Sequence, residues 1–184
     1  MYYIYPEKAI EYLKVKDPQL KKAIDTIGVI QREVNPDLYF STVSSIIGQQ
    51  ISSVAHKTIL ARLNAKVHTI KPMTIFELSD QELQSIGISN RKVTYIKELT
   101  YMVINDPTYF DDLYNLDDQK IIDKLIKIKG VGKWTAEMLM IFSLQRPNIL
   151  SYDDLAIIRG LRMLYHHRQI TPKLFKKYQR RFSP

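Results

Sequence analysis

Residues 128–136 read I-K-G-V-G-K-W-T-A, and this stretch decides the fold. It lies between two segments with helical periodicity, and its two glycines, Gly130 and Gly132, allow a tight turn. Such a turn leaves backbone N–H groups facing outward, where a phosphate can approach. The next helix presents its positive dipole end to the same anion, and Lys133 adds a full positive charge. The pattern therefore predicts a hairpin between two helices that grips a DNA backbone.

The composition favours a polyanionic partner. The chain has 184 residues, with 27 Lys and Arg against 19 Asp and Glu, which gives a net charge of +8 and a pI near 9.5. Many basic proteins bind no nucleic acid, so charge alone leaves both readings open. The absence of cysteine from the sequence excludes disulfides, thiolate metal sites and a cysteine-ligated iron–sulfur cluster.

The sequence shows neither a signal peptide nor a membrane span. The N-terminus, M-Y-Y-I-Y-P, has no basic start and no long apolar run. The longest apolar stretch, around residues 138–144, is far too short to cross a bilayer. We therefore expect a soluble cytoplasmic protein without a membrane partner, associated with the nucleoid if it is bacterial.

Helical periodicity runs through almost the whole chain, which predicts an all-α fold. Val93, Ile96, Leu99 and Val103 share one helix face, for example, and no run shows the alternation of a strand. Start signals include Asp17 before a proline, Thr74 with a Glu three residues on, and Ser79 with Glu82. We expect helices near residues 6–15, 18–27, 36–47, 51–63, 74–78, 80–86, 90–104, 117–127, 133–144, 154–166 and 172–181.

Two acids and one tryptophan are candidates for chemistry. Asp153 and Asp154 precede L-A-I-I, a clear helix start, so one of them can cap that helix while the other faces a substrate. A carboxylate near a sugar can stabilise an oxocarbenium-like transition state or activate water. Trp134 follows the hairpin directly; a single Trp is usually core, but beside a DNA grip it can stack on a displaced base. The remaining acids are expected on the solvated surface.

Two further segments carry groups suited to DNA. Gln49 and Gln50, within I-I-G-Q-Q-I-S, fit a DNA groove or the gap left by a flipped nucleotide, although a polar turn without a role explains them equally well. Ser89, Arg91 and Lys92, within G-I-S-N-R-K, place a cap and two cations at a helix N-terminus, which suits a phosphate contact.

These four segments, in their order along the chain, resemble the helix-hairpin-helix DNA glycosylases, and most of all their alkylpurine branch, 3-methyladenine DNA glycosylase II. The resemblance covers residues 17–184. It implies an all-α, two-lobed fold with a central cleft. Lobe A would comprise about residues 1–35 and 146–184, and lobe B about residues 36–145, with the hairpin at 128–133.

The resemblance implies a monofunctional DNA glycosylase that flips alkylated purines, such as 3-methyladenine and 7-methylguanine, and hydrolyses their N-glycosidic bond in base excision repair. Asp154 matches the essential carboxylate. Trp134 matches the base pocket, and Met138 stands there where an aromatic residue is usual. Gln50 matches the position that enters the DNA stack. Bifunctional relatives carry a lysine where this chain has Trp134, so no lyase activity is implied.

The expected partner is double-stranded DNA with damaged bases, bound by a monomer. The family uses hairpin carbonyls, here those of Ile126, Ile128 and Val131, to hold a monovalent cation such as sodium or potassium; no other cofactor is implied. Lys129 replaces the usual proline before the hairpin glycine. The predicted DNA contacts are Gln49, Gln50, Ser89, Arg91, Lys92, Lys129, Gly130, Val131, Gly132, Lys133 and Thr135.

Three alternatives remain open from the sequence. The chain can be a non-catalytic helix-hairpin-helix DNA-binding protein, a glycosylase for deaminated purines, or a bifunctional glycosylase and lyase. The ending R-R-F-S-P is similar to the start of a longer motif, which predicts either a chain truncated before one more helix or a protein that lacks this last helix. We also expect no N-terminal β-rich domain of the kind that the larger bacterial members carry.

Overall fold

The computed structural model describes residues 1–183, which form eleven α-helices and one 3₁₀ helix at Asp111–Asn115. In this range the β-type pairing consists of one isolated bridge between Tyr2 and Glu33, so the all-α prediction is confirmed. Pro184, which closes the R-R-F-S-P motif, lies outside the described residues. The helices are α1 Glu7–Lys16, α2 Pro18–Ile27, α3 Leu38–Gly48, α4 Ser53–Val67, α5 Pro72–Phe76, α6 Asp80–Ser85, α7 Asn90–Asn105, α8 Asp118–Leu125, α9 Lys133–Phe142, α10 Leu155–Leu164 and α11 Pro172–Phe182.

The chain divides into two compact units. The first combines Met1–Val34 with the C-terminal residues from Gln145 onward and contains α1, α2, α10 and α11. The second unit, Asn35–Leu144, contains α3 to α9. Within residues 1–183, no helix combines the length and the apolar content needed to cross a membrane. The cleft that the resemblance implies stays a prediction.

The core of the second unit is built on α3 and α7. The predicted stripe of α7 is confirmed, because Val93, Ile96, Leu99 and Val103 are all buried. Each such side chain contributes about 1.5–3 kcal/mol by leaving water. A buried hydrogen bond of 2.8 Å between the hydroxyls of Tyr39 and Thr100 joins α3 to α7. Helix α7 is therefore held firmly in the core of the second unit, and its N-terminal turn can position the residues that it contacts.

The first unit ties its N-terminal helices to its C-terminal helix through Asp17. This buried carboxylate caps α2 by accepting the N–H of Leu20 at 2.9 Å, and it pairs with Arg181 of α11 at 2.9 Å. The expectation that the other acids are solvated is therefore wrong for Asp17, and it is also wrong for Glu137, which is buried in α9. Asp17 is buried because the Leu20 N–H and the Arg181 guanidinium replace water around its carboxylate.

Local capping signals set most helix starts. The Ser79–Glu82 capping box is confirmed, and the backbone N–H of Ser79 holds the pKa of Glu82 down to about 2. The predicted start at Thr74 is wrong, because α5 begins at Pro72 and Thr74 is its third residue. The Thr74 hydroxyl bonds the N–H of Lys71 at 3.1 Å, so it completes a cap from inside the helix.

Candidate nucleic-acid interface

The hairpin turn lies between the end of α8 at Leu125 and the start of α9 at Lys133. Gly130 has φ +85°, and a Cβ there would clash with the ring of Tyr95, 3.0 Å from its Cγ. The turn is closed by a 3.0 Å bond from the Val131 N–H to the Ile128 carbonyl. The side chains of Ile128 and Val131 are buried, so they anchor the turn in the core. Gly130 is thus required by the fold itself, and Val131 can face DNA only through its backbone.

Gly132, unlike Gly130, has open space beside its Cα and is not required by packing. Its backbone is extended, with φ −90° and ψ 176°, and a Cβ there would meet nothing within 4 Å. It is the N-cap of α9 and offers no side chain to the amides of the first turn, which an anion can bind. No contact within the unit requires a glycine here, and what it provides is room for an outside group to reach the backbone.

The cations of the hairpin are exposed and carry weak pairings. The Lys133 ammonium lies 3.8 Å from the Glu137 carboxylate, and the Lys129 ammonium lies 2.7 Å from that of Glu98. The Lys129–Glu98 pair is exposed and is worth about 0–1 kcal/mol. Lys133 is exposed although Glu137 is buried, and 3.8 Å is too long for a hydrogen bond, so a phosphate can compete for both cations. Thr135 is buried, so its side chain is not exposed to DNA. A DNA contact through the backbone of Thr135, in the first turn of α9, stays a prediction.

The turn between α3 and α4 is attached to the hairpin by Gln49. Its side-chain amide donates to the Gly130 carbonyl at 2.7 Å, so that amide group does not face a DNA groove as predicted. The next residue, Gln50, is exposed and has φ +57°, a conformation that few residues other than glycine adopt. Ser52 then caps α4 by accepting the N–H of Ala55 at 3.2 Å. Gln50 is therefore exposed on a turn that hydrogen bonds of Gln49 and Ser52 hold in place on either side.

The N-terminal turn of α7 supports these two turns from inside. The Lys92 ammonium donates to the carbonyls of Ile47 and Gln49, at 2.8 and 2.7 Å, and burial lowers the pKa of Lys92. This geometry contradicts the predicted phosphate contact of Lys92. Arg91 donates to the Tyr95 hydroxyl at 2.6 Å but is exposed, and Ser89 is the N-cap residue of α7 without a side-chain capping bond.

A pocket of about 530 Å³ opens beside the hairpin helix in the second unit. Trp134, which is 44% exposed, and Met138 form its apolar wall. Ser44, Ser45 and His56 add polar groups, and the Ser44 hydroxyl lies 3.1 Å from His56 Nε2. Sequence reasoning missed His56, since nothing in its local pattern separates it from a surface residue. An aromatic face with nearby hydrogen-bonding groups suits a planar, polar-edged ligand.

A larger cavity, about 670 Å³, lies in the first unit but is a poorer candidate for a base pocket. Its lining is almost entirely aliphatic, including Leu20, Leu161 and Met163. A ligand site normally adds a few polar groups that fix orientation, and this cavity has little to offer for that purpose. The pocket beside Trp134 therefore fits the chemistry better despite its smaller size.

Asp154, and not Asp153, is the N-cap of α10. Its Oδ1 accepts the N–H groups of Ala156 at 2.8 Å and Ile157 at 3.1 Å. Asp153 is exposed and lies outside the helix. The cap fixes the direction of the Asp154 carboxylate, which favours a positioned negative charge over a mobile one.

The carbonyls of Ile126, Ile128 and Val131 lie at the hairpin, as the predicted cation site requires. The Ile128 carbonyl already accepts the Val131 N–H, but a carbonyl oxygen has a second lone pair. In residues 1–183, no cluster of His, Asp or Glu side chains is arranged to hold a metal ion. The monovalent cation at these backbone oxygens stays a prediction.

Residues 43–184 match the family described as HhH-GPD superfamily base excision DNA repair protein, and the chain belongs to this superfamily. The matched range contains both the hairpin turn and α9. The predicted family and the helix-hairpin-helix glycosylase fold are therefore confirmed.

Individual relatives carry a narrower description. DNA-3-methyladenine glycosylase 1 of Schizosaccharomyces pombe is 31% identical over an alignment of 176 residues, which covers 91% of this chain and 77% of that protein. The crystal structure of a DNA-3-methyladenine glycosidase from Bacillus halodurans superposes with a TM-score of 0.87 at 32% identity, covering all of this chain and 86% of the other. A Schizosaccharomyces pombe 3-methyladenine DNA glycosylase in complex with abasic DNA gives a TM-score of 0.80 at 26% identity, covering 96% and 90%.

Proposed function

We propose that this protein is a monofunctional DNA glycosylase that hydrolyses the N-glycosidic bond of alkylated purines of the 3-methyladenine and 7-methylguanine type. One observation carries the proposal: Trp134, in the first turn of the hairpin helix, forms the wall of a pocket large enough for a purine. The names of the relatives, which are 3-methyladenine glycosylases, support the same substrate class.

The chemistry follows from the charge of the lesion. Flipping a base costs a few kcal/mol, and least where stacking or pairing is already weakened. An N-alkylated purine is cationic, so the electron-rich face of Trp134 attracts it. The same charge makes it a good leaving group, since the electrons of the C1′–N bond neutralise it. Little acid catalysis at the base is then needed.

Asp154 acts on the sugar in this proposal. As the C1′–N bond breaks, positive charge develops on the sugar ring, and a fixed carboxylate stabilises it more than it stabilises the ground state. Water adds its hydroxyl to C1′ and releases a proton, which leaves an abasic site and the free base. The observation that supports this role is the capped, oriented carboxylate of Asp154.

Trp134 also supports the absence of a lyase step. A lyase needs an amine that forms a Schiff base with the sugar, and the indole that replaces the lysine of bifunctional relatives cannot form one. Borohydride treatment of a mixture of the protein with damaged DNA should therefore trap no covalent complex. A trapped complex would assign the protein to the bifunctional class.

The oligomeric state, the location and a bound ion complete the proposal. We propose that the protein acts as a monomer, in the cytoplasm and on the nucleoid if it is bacterial. We also propose that a sodium or potassium ion at the carbonyls of Ile126, Ile128 and Val131 helps the hairpin to bind phosphate. DNA binding measured in potassium against a bulky organic cation, at equal ionic strength, tests the last point.

The function is tested with methylated DNA and the wild-type protein. We expect release of free 3-methyladenine and 7-methylguanine, identified by chromatography, without strand cleavage. Tight DNA binding without release of any base would favour a non-catalytic DNA-binding protein. Release of hypoxanthine from deaminated DNA, with methylated DNA left intact, would move the substrate class to deaminated purines.

Lys133→Ala should reduce the salt dependence of DNA binding. If its ammonium contacts one phosphate, the slope of log K against log salt falls by about one unit, and affinity drops for all sequences alike. Lys120→Ala is the matched control, because Lys120 is an exposed lysine of α8 paired with Asp117 and has no proposed DNA contact. Equal slopes for the wild type and both variants would remove Lys133 from the interface.

Gln50→Ala should slow base excision more than it weakens binding to undamaged DNA, because the proposed contact forms only after the base has flipped. Alanine is strained at φ +57°, so Gln50→Gly is the matched variant: it removes the side chain and relieves the strain. Both variants should show the same excision defect. A defect in Gln50→Ala alone would trace the effect to backbone strain and not to the side chain.

A further inference from the structure

We propose that Lys92 is a positioning residue that holds the α3–α4 turn and the hairpin in one DNA-competent arrangement, and that it does so without touching DNA. The inference rests on the proposed function, because the turn it positions carries Gln50. It replaces the phosphate contact that the sequence predicted for Lys92.

The contacts of Lys92 place it under the turn. Its ammonium bonds two carbonyls, those of Ile47 in the last turn of α3 and of Gln49 at the C-cap. The terminal carbonyls of a helix have no intrahelical partner and carry the negative end of the dipole, so a cation there is stabilising. Lys92 thus fixes the point where α3 stops and the turn begins.

Gln49 carries this constraint to the hairpin. Lys92 bonds the backbone carbonyl of Gln49. The side-chain N–H of Gln49 in turn donates to the backbone carbonyl of Gly130, 81 positions further along the chain, at 2.7 Å. Gly130 also packs against the ring of Tyr95, which lies about one helical turn after Lys92. Helix α7 therefore fixes both DNA-facing turns, one through Lys92 and one through Tyr95.

The contacts leave Lys92 poorly placed for a phosphate. Its side chain is half-buried, and burial already lowers its pKa, so the ammonium depends on the two carbonyls in place of water. A move toward DNA would break two charge-assisted hydrogen bonds and leave buried carbonyls without a donor. Its neighbour Arg91 is exposed, so one cation of the pair points inward while the other stays accessible.

Lys97 provides a matched control on the same helix. Its ammonium also bonds carbonyls at the end of a helix, those of Ile75 and Phe76 in α5 and of Leu78 just after it. The two lysines therefore make the same kind of contact from α7, but neither α5 nor its last turn carries a proposed DNA contact. Loss of stability should follow either substitution, and loss of function only the first.

The experiment compares Lys92→Met, Lys92→Arg and Lys97→Met with the wild type. Methionine keeps most of the stem and removes the charge and all donors, whereas arginine keeps both. We expect Lys92→Met to excise methylated purines at least about tenfold more slowly, the equivalent of a lost hydrogen bond to a charged group. Its salt slope of binding should equal that of the wild type, and Lys92→Arg should recover most of the rate.

Hydrogen exchange provides a readout independent of activity. Lys92→Met should speed amide exchange at residues 49–52 and 130–132, whereas Lys97→Met should speed it around residues 75–79. Lys97→Met should lose stability but excise at the wild-type rate. A fall of about one unit in the salt slope of Lys92→Met would restore the phosphate contact and overturn the proposal. An equal excision defect in Lys97→Met would reduce Lys92 to a purely structural role.

Failure of the proposed function gives a different pattern of results. If the wild type releases no base, that function fails, and affinity for DNA with an abasic-site analogue becomes the measurement for Lys92. The positioning role then predicts that Lys92→Met loses affinity for this DNA, relative to undamaged DNA, at an unchanged salt slope. Unchanged relative affinity would overturn the inference.

Discussion

Asp154→Asn should abolish most base excision while the protein stays folded and still binds abasic DNA. Asparagine keeps the side-chain oxygen that accepts the N–H groups of Ala156 and Ile157, so the start of α10 is preserved. It removes only the negative charge, whose proposed contribution appears in the transition state. Loss of one preorganised electrostatic group typically costs about a hundredfold to a thousandfold in rate. Single-turnover excision from methylated DNA measures this directly.

Asp153→Asn is the control for this prediction, since the two acids are adjacent and chemically identical. Asp153 is exposed and does not cap α10, so its replacement should leave both the rate and the unfolding free energy near those of the wild type. Asp154→Ala, by contrast, should lose about 1 kcal/mol of stability with the cap. Rapid excision by Asp154→Asn would overturn the assignment, and a slow Asp153→Asn would transfer the role to Asp153.

Local sequence patterns were enough to predict the helical fold. The apolar stripe of α7, the Ser79–Glu82 capping box and the cap at Asp17 depend on residues three or four positions apart, and each is confirmed. The predicted helix start at Thr74 is wrong for a related reason. A threonine hydroxyl can cap from the third helical position as well as from the N-cap, and the pattern does not distinguish these cases.

Long-range partners could not be predicted from the sequence. Lys92 at a helix N-terminus looks like a phosphate contact, but its partners lie 45 and 43 residues away. Gln49 looks like a groove contact, but its partner is Gly130, across the fold. Thr135 lies within the hairpin signature, yet the rotation of α9 buries it. In each case the residue type indicated which contacts the side chain can make, but tertiary packing determined the direction in which the side chain points.

The two hairpin glycines should respond in opposite ways to the same substitution. Gly130→Ser introduces a Cβ at φ +85° against the Tyr95 ring, so both backbone strain and overpacking oppose it. Together these should cost on the order of 3 kcal/mol of stability. For a chain of this size the melting temperature should then fall by roughly 6–12 °C, which calorimetry or circular dichroism measures.

Gly132→Ser should leave the fold intact and still impair DNA binding. The extended backbone of Gly132 suits serine, its Cβ meets nothing within 4 Å, and serine is among the preferred N-cap residues. The melting temperature should therefore stay the same or rise. The new hydroxyl would occupy the first-turn amides of α9, and the Cβ would obstruct the approach of a phosphate, so affinity should fall for every DNA sequence alike. Because the stability effect is neutral or favourable, weaker binding cannot be traced to unfolding. Wild-type affinity in folded Gly132→Ser would show that the phosphate does not approach the backbone at Gly132. Of the two hairpin glycines, only Gly130 would then have a defined role, which is to form the turn.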